Sequence, residues 1–448
     1  MKKELSSLLS LVCVFSLGVV GMACGADALA EGFADPPAES RPRTWWHWMD
    51  NNISRAGITK DLEAMKRAGL GGATILDIAE FRHDKGAVKS LSPEWYGMVN
   101  WAGREADRLG LSLSFHNCPG WSSSGGPWIK PENAMKMMCW TETVVTGGAP
   151  VRVRLPACPS PVGFSRDVAV VAFPSVPGDA YDVGAYTPVA TNVHLDAALK
   201  TPAVPKGCAW VVGTRGAKTE QWLEYAFRAP VEIGTVRMRI GPQFAQYHLN
   251  NQVTCAFRVS DDGTAWRTHY VSDSTQKEDP TVFSFPPVTT RHLRVVFLRV
   301  GRTNTGWAAI RGVDFAPGER VPHASRKAYH VFFRNAFADI PYVPTNVQPC
   351  RAESAVDRAR VQVVSDKMAP DGTLAWTPPA PGSWTVLRFM MVARRSGNHP
   401  VNPEAHGLEC DKLSRAGVDA ALGGMMTRIM DDARQTGVKA FKYTLVDS

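Results

Sequence analysis

The sequence predicts a protein of the α/β class. Apolar runs of strand length alternate with amphipathic helical patterns in 44–138, and the same alternation returns in 414–448. Between these parts the chain has short alternating runs separated by Pro, Gly and Asp-Gly, which is typical of all-β structure. Short connections favour parallel strands with right-handed crossovers. We therefore expect a (β/α) barrel or an open doubly wound sheet, interrupted by all-β insertions.

The helical patterns carry start and stop signals. Ser92 can cap a helix that has Pro93 in its first turn, and Gly110 stands where that helix should end. Ser414 and Gly437 bracket a second pattern of the same kind, and an apolar strand follows it. These signals predict two helices that each lead into a strand of the parallel sheet.

Changes in pattern along the chain divide it into six segments. The two α/β segments flank three β segments, of which the middle one is the longest. The predicted segments are a signal peptide (1–30), the first part of the barrel (31–139), a β linker or extension (140–179), a β-sandwich (180–317), a second β region (318–395) and the resumed barrel (396–448).

Residues 1–30 have the composition of an export signal: positive residues, an almost uncharged apolar run, and small residues up to Ala30. The apolar run is short for a membrane span, so we expect no stable span and a location in the bacterial periplasm or on the outer surface. The segment Gly21–Cys24 resembles a lipoprotein cleavage box without its usual leucine, so lipid anchoring at Cys24 is the alternative.

Charge and cysteine spacing exclude several classes of partner. The net charge is +8, but lysines and arginines are scattered without a run of five or six, so we expect no nucleic-acid partner. Seven of the nine cysteines follow the signal segment, far apart and without a CxxC pair, which leaves zinc unsupported and any disulfide framework partial at best. The Gly-Ser loop in 116–128 lacks the lysine of a phosphate loop and the GxSxG spacing of a serine hydrolase.

Polar and aromatic side chains gather where the predicted strands end. Ligands bind at the carboxyl ends of parallel strands, and sugar sites combine aromatic rings with carboxylates, amides and imidazoles that bind hydroxyl groups. The candidate substrate-binding residues are Trp46, His47, Trp48, Asp50, Asn51, Asp77, His116, Asn117, Trp121, Glu409 and Asp447.

Each of these positions has a structural alternative. The tryptophans can fill the core of the α/β domain, and His47 can be an interior histidine with satisfied hydrogen bonds. The loop 398–414 contains Glu404, His406, Glu409 and Asp411, which could coordinate calcium or bind sugar hydroxyls. Asp411 can equally serve the start of the following helix.

Three long blocks resemble glycoside hydrolase family 106, the α-L-rhamnosidase family. They are "PRTWWHWMDNNIS", "LSPEWYGMVNWAGREADRLGLSLSFHNCPGWSSSGGPWI" and "NHPVNPEAHGLECDKLS", and the resemblance covers most of 41–140 and 395–448. Within the insertion, "QWLEYAFRAPVEIGTVRMRI", "FRVSDDGTAWRTH" and "RHLRVVFL" are similar to a discoidin-like, galactose-binding-type sandwich.

The resemblance implies a hydrolase of terminal α-L-rhamnosides of plant polysaccharides or glycosides, working with inversion and with calcium implicated. Inversion uses two carboxyl groups about 6.5–9.5 Å apart, one as acid and one as base. The resemblance also implies that both lie beyond Ser448, so the catalytic residues are unassigned. The chain is then expected to hold about the first four strands of a TIM-type (β/α)8 barrel and to be an inactive N-terminal fragment. The alternative function is binding of rhamnose-containing oligosaccharides or polysaccharides without catalysis, through the sandwich and the aromatic strand ends.

Overall fold

The computed structural model divides into two compact units. It describes residues 29–80, 85–122, 124–178, 189–191, 210–213, 220–240, 253–272, 281–300, 307–321 and 350–446. The first unit comprises Met1–Met137, Pro159–Arg166 and Met391–Ser448, and the second comprises Met138–Cys158 and Asp167–Met390. The predicted signal segment, the possible lipid site at Cys24 and the candidate Asp447 lie outside the described residues, apart from the last two positions of the signal segment.

Among the described residues, the α-helices lie in the first unit and strands occur in both units. In chain order the strands are β1 (Arg43–Met49), β2 (Gly72–Ile78), β3 (Ser112–His116), β4 (Gly125–Gly126), β5 (Lys136–Gly147), β6 (Val151–Arg154), β7 (Ser165–Pro174), β8 (Ala190–Thr191), β9 (Trp210–Gly213), β10 (Gln221–Ile240), β11 (Val253–Ser260), β12 (Arg267–Val271), β13 (Thr281–Val300), β14 (Trp307–Ala316), β15 (Gln362–Val363), β16 (Thr373–Trp376), β17 (Gly382–Ala393), β18 (Leu408–Glu409) and β19 (Phe441–Leu445). Short 3₁₀ helices lie at Ala38–Ser40, Pro131–Asn133, Ala352–Ser354, Arg358–Arg360, Ser365–Lys367 and Pro403–Ala405.

Three α-helices cover the parallel sheet, and each starts with a serine cap. They are α1 (Arg55–Arg67), α2 (Pro93–Leu109) and α3 (Arg415–Thr436). The hydroxyls of Ser54, Ser92 and Ser414 accept from the backbone N–H three residues on, which satisfies one free donor in each first turn. The start and stop signals at Ser92, Gly110, Ser414 and Gly437 are therefore confirmed.

The sheet of the first unit has the order β1-β2-β3-β19, and neighbouring strands run parallel. Side chains from one face of β1 to β3 share a core with all three helices, including Trp46, Ile75, Phe115 and Ile429. Helices on a single face distinguish this winding from a doubly wound sheet, which carries helices on both faces. The α/β class is confirmed. The described strands form an open sheet rather than a closed barrel, so the partial barrel stays a prediction.

The inserted sandwich is antiparallel, with the strand order β12-β11-β13-β10-β14-β9 and with β8 added at β10. The long strands β10 and β13 pair along most of their length, with register shifts between Ala226 and Val231 and between Ile233 and Thr235. Its core is rich in large buried side chains, among them Tyr225, Phe257 and Phe297. An all-β insertion is confirmed.

A second β structure joins segments that are far apart in sequence. Its sheet has the order β15-β7-β17-β5, and a two-stranded sheet pairs β16 with β6. Buried Arg388 on β17 donates to Asp167 on β7 at 2.6 Å and 3.0 Å and to the Leu155 carbonyl at 2.8 Å. The regions 140–179 and 318–395, separate in the sequence prediction, thus contribute to one folded part. No helix in the described part of the chain is long and apolar enough to cross a membrane.

Candidate functional site

The two faces of β1 have different surroundings. Trp46 and Trp48 are buried, their rings lie 5.5 Å apart, and Trp48 packs edge-on against Trp95 of α2 at 6.0 Å. The indole N–H of Trp46 donates to Asp61 of α1 at 3.0 Å. The prediction that Trp46 and Trp48 form a wall of a sugar site is corrected, because the alternation of side chains along a strand turns both into the helix-covered core.

The opposite face of β1 presents an accessible group of rings. The centroids of Trp45 and His47 lie 6.0 Å apart, and the ring of Trp121 lies 5.9 Å from Trp45 and 5.4 Å from His47. Trp45 is 55% exposed. We call Trp45, His47 and Trp121 the aromatic cluster. It brings the first and third predicted strand ends together, and its rings offer the flat apolar surface on which the face of a sugar packs.

The turn that follows β1 holds two polar residues in left-handed backbone conformations. Asp50 has a φ of 52° and Asn51 a φ of 64°, and both side chains are buried. Asp and Asn tolerate this region better than other residues with a Cβ atom. Consecutive residues in this conformation reverse the chain sharply, which turns the Asn51 side chain toward the strand ends instead of leaving it in the sheet.

Five polar side chains form a connected network at the ends of β1 and β2. The Asn51 amide donates to Glu404 at 2.9 Å, and its Oδ1 accepts from the Ser90 hydroxyl at 3.0 Å. Ser90 Oγ lies 3.1 Å from Asp77 Oδ1, and Asn402 Nδ2 donates to Ser90 Oγ at 3.0 Å. We call Asn51, Asp77, Ser90, Asn402 and Glu404 the polar network. It places Asn51 and Asp77, both predicted site residues, in one site.

The Ser90 hydroxyl has one proton and two acceptors within reach, Asn51 Oδ1 and Asp77 Oδ1. It cannot donate a full hydrogen bond to both. Burial raises the pKa of Asp77 to about 7, the Ser90 hydrogen bond lowers it and nearby Glu404 raises it further. A protonated Asp77 can donate to Ser90 Oγ, which releases the serine proton for Asn51 Oδ1. The carboxylic acid form of Asp77 therefore completes the polar network near neutral pH.

The end of β3 supplies a buried imidazole. The Cys118 carbonyl can only accept, so the contact of 2.8 Å from His116 Nδ1 identifies Nδ1 as the protonated nitrogen of the neutral ring. His116 Nε2 is then an acceptor, and it is buried without a partner in the described structure. Asn117 Oδ1 is also a buried acceptor without a partner among the described residues. Both atoms are suited to accept hydrogen bonds from hydroxyl groups.

The loop that precedes α3 packs on the loop that follows β3. Its Asn398 side chain donates to the carbonyls of Pro119 and Ala405 at 3.1 Å and 2.9 Å. Buried Glu409 accepts from the Ser124 hydroxyl through Oε2, while Oε1 has no partner in the described part of the chain. The loop therefore delivers Glu409 and the two network residues Asn402 and Glu404 to the strand ends.

Asp411, at the end of this loop, has a structural role. Asp411 pairs with Lys136 at 3.0 Å and accepts from the Leu413 backbone at 3.1 Å, just before α3, so it serves the start of the helix. Across the described residues, no three His, Cys, Asp or Glu side chains converge in a way that could hold a metal ion. The calcium that the family resemblance implies stays a prediction.

Sequence reasoning missed two members of the polar network. Ser90 lies in an ordinary loop before the cap of α2, and nothing in the sequence marks it. Asn402 lies in the loop 398–414 before α3, where its amide is one of many polar groups. Only the fold shows that its hydrogen bond joins positions 312 residues apart.

Known proteins resemble this chain in sequence and in fold. A family model described as alpha-L-rhamnosidase matches residues 34–448. The structure of a rhamnosidase from Novosphingobium sp. PP1Y is similar at 30% identity with a TM-score of 0.71, covering 93% of this chain and 39% of that chain. A Formosa agariphila protein named "Putative beta-glucuronidase" is 45% identical over 146 residues, which are 33% of this chain and 12% of that protein. This chain thus spans less than half the length of either relative.

A carbohydrate-binding module is also similar to part of the chain. The structure of a pectin binding carbohydrate binding module matches at 16% identity with a TM-score of 0.20, covering 34% of this chain and 91% of the module.

Proposed function

Because the chain belongs to the alpha-L-rhamnosidase family, glycoside hydrolase family 106, we propose that it is an exported hydrolase of terminal α-L-rhamnosides of plant polysaccharides or glycosides. The observation that carries the proposal is the contact of His47 on β1 with Trp121 after β3, with the polar network at the ends of β1 and β2 beside them in the same sheet. Rings beside hydrogen-bonding groups are the composition that sugar recognition requires.

The free acceptors of the site set its chemistry. Asp77 Oδ2, His116 Nε2, Asn402 Oδ1 and Glu409 Oε1 are buried and have no partner among the described residues. A buried acceptor without a donor costs about 1–3 kcal/mol, and a ligand that supplies hydroxyl groups removes that cost. A 6-deoxyhexose supplies hydroxyls for these acceptors and apolar C–H and methyl groups for the aromatic cluster.

The proposed mechanism is inversion by two carboxyl groups on opposite sides of the scissile bond. We place Asp77, Glu404 and Glu409 among the sugar-binding groups. In its protonated form Asp77 donates to Ser90 through Oδ1, and Oδ2 stays available to accept from a sugar hydroxyl. Water attack from the face opposite the leaving group would release the β-anomer first.

Binding without catalysis is the second candidate, and one feature of the sandwich favours it. The guanidinium of Arg294 lies 4.1 Å from the ring centroid of Trp222 and 4.0 Å from that of Trp266, and it donates to Glu224 at 2.9 Å. Half-buried tryptophans beside charged hydrogen-bonding groups resemble the composition of a sugar-binding surface.

Calorimetric titration of the 448-residue protein with methyl α-L-rhamnoside tests the proposed function. We expect binding that Trp45→Ala weakens about tenfold, because the variant removes the exposed ring of the aromatic cluster. The matched control is Trp140→Ala, since Trp140 is 44% exposed and lies in the second unit. A silent titration, or equal weakening by both variants, would contradict the rhamnoside site.

Two further measurements separate the alternatives. If Trp266→Ala abolishes binding and Trp45→Ala does not, the sandwich is the binding part and the second candidate is favoured. Where 4-nitrophenyl α-L-rhamnoside is turned over, proton NMR during the first turnovers should show the β-anomer of rhamnose. Release of the α-anomer would rule out inversion.

A further inference from the structure

The helix-covered side of the first sheet carries a pocket that the proposed hydrolase does not use. It lies between α2 and α3, with Arg55 of α1 at its margin, and has a volume of about 350 Å3. The helices pack on the face of the sheet that buries Trp46 and Trp48. Since Trp45 and His47 point to the other face, the pocket and the aromatic cluster lie on opposite sides of the sheet.

The pocket is strongly cationic. Arg55, Arg104 and Arg428 line it together with a single acid, Asp432. Arg428 Nε lies 3.9 Å from Asp432, whereas Arg55 and Arg104 have no acidic partner in the described part of the chain. Three guanidinium groups around one cavity repel one another, and a bound anion would relieve that repulsion.

Aromatic rings hold two of these guanidinium groups in place. Arg428 lies 3.8 Å from the ring centroid of Tyr96, and Arg55 lies 5.3 Å from that of Trp101. The indole N–H of Trp101 donates to Thr59 at 3.2 Å, which fixes the ring that supports Arg55. Guanidinium groups stacked on fixed rings lose little freedom when a ligand binds, so the pocket is preorganised.

The polar lining favours a ligand with hydroxyl groups as well as a charge. Asn100 and Gln435 contribute amides, and Asn100 is held by a hydrogen bond of 2.6 Å to Thr436. Asp432 can accept from a hydroxyl and repels a phosphate dianion more strongly than a carboxylate. Arginine pairs with a carboxylate through two parallel hydrogen bonds.

We propose that this pocket binds the carboxylate of an acidic sugar, such as a uronic acid residue in a polysaccharide. The volume lies within the range of about 300–1,000 Å3 of small-molecule sites and suits a single sugar residue. The proposal goes beyond rhamnoside hydrolysis and does not depend on it, because the pocket shares no residue with the aromatic cluster or the polar network. A protein with both sites would hold an acidic glycan at a second point while a neutral terminal sugar enters the first.

Isothermal titration calorimetry of the 448-residue protein with sodium D-glucuronate tests the pocket, with D-glucose and inorganic sulfate as matched probes. We expect D-glucuronate to bind and D-glucose not to bind at the same concentrations. Arg104→Gln and Arg428→Gln should each weaken D-glucuronate about fivefold to tenfold, the range for one charge-assisted contact at a partly exposed site. Arg415→Gln is the matched control, because this arginine of α3 is 95% exposed and outside the pocket.

Binding of D-glucuronate must also be independent of the rhamnoside site. Trp45→Ala should leave it unchanged, and Arg104→Gln should leave methyl α-L-rhamnoside binding unchanged. Loss of D-glucuronate binding in Trp45→Ala alone would overturn the proposal and assign the acid to the strand-end site. Sulfate binding as tight as D-glucuronate, equal weakening by Arg415→Gln, or no D-glucuronate binding by the folded protein would overturn it as well. If methyl α-L-rhamnoside does not bind, the D-glucuronate titration still tests the pocket, because it is a separate measurement.

Discussion

Ser90 Oγ lies 3.1 Å from Asp77 Oδ1 in the buried polar network, and this contact joins the loop before α2 to the end of β2. The same hydroxyl lies 3.0 Å from Asn51 Oδ1 and accepts from Asn402. One serine thereby connects the ends of β1 and β2 with the loop before α3. When Asp77 is protonated it can donate to Ser90 Oγ, so the Ser90 hydroxyl can donate to Asn51 Oδ1, which also accepts from the Ser90 backbone N–H at 3.1 Å.

The first prediction concerns pH and Asp77. Its pKa is about 7 in the folded protein against an ordinary 3.8, so folding takes up a proton between these values. The stabilisation from the protonated form is fully present below pH 3.8 and is lost as pH rises through 7. The side chain that Asp77→Asn introduces does not titrate, so the variant does not lose this stabilisation. Its free energy of unfolding minus that of the wild type should therefore increase by up to about 1.4 kcal/mol per pH unit over this window.

Urea unfolding of both proteins at intervals from pH 4 to pH 9 measures the difference. Above pH 8 it should level off at about 4 kcal/mol from its acid value, which follows from the pKa change at 1.36 kcal/mol per unit. Parallel pH profiles of the two proteins would show that Asp77 is ionised in the folded state.

The second prediction removes the shared hydroxyl. Ser90→Ala leaves Asn51 Oδ1 and Asp77 Oδ1 without that donor, so the free energy of unfolding should fall by about 1–3 kcal/mol. In the double variant with Asp77→Asn the two effects should not add, because both residues belong to one network. Additive effects within about 0.5 kcal/mol would contradict the hydrogen-bond network.

The sequence predicted the elements that local chemistry determines. Serine caps, the left-handed Gly110 and Gly437, and the apolar spacing of the helices act within a few residues, so α2 and α3 were predictable to within a residue or two. The aromatic stretch "TWWHW" was recognisable as unusual, but its two faces were not, because a run of bulky residues has no visible alternation. Burial of Trp46 and Trp48 follows only from where the helices pack.

Long-range contacts account for most of what the sequence could not show. The joining of 140–179 with 318–395 depends on β7 pairing with β15 across the whole sandwich insertion. The polar network depends on the loop before α3 reaching the ends of β1 and β2. Composition and periodicity describe neighbours in sequence and carry no information on such contacts.

The third prediction separates the two faces of β1. Trp46→Ala should lower the free energy of unfolding by about 3–5 kcal/mol, because it empties a core position and removes the hydrogen bond to Asp61. Trp45→Ala should cost less than about 1 kcal/mol, since its ring is largely exposed. Guanidinium unfolding of both variants measures these values. Similar losses at both positions would mean that Trp45 is also a core residue.

The fourth prediction uses two adjacent glycines in α3. A Cβ atom at Gly423 meets nothing within 4 Å, whereas a Cβ atom at Gly424 would overlap the indole ring of Trp128. Gly423→Ala should raise the free energy of unfolding by about 0.5–1 kcal/mol through helix propensity alone. Gly424→Ala gains the same propensity, but it must displace Trp128 from the packing between α3 and the loop after β3, at a cost of about 1–3 kcal/mol. Thermal unfolding of the two variants should therefore shift in opposite directions, and because the residues are neighbours in one helix, a shared downward shift would show that α3 does not extend through this point.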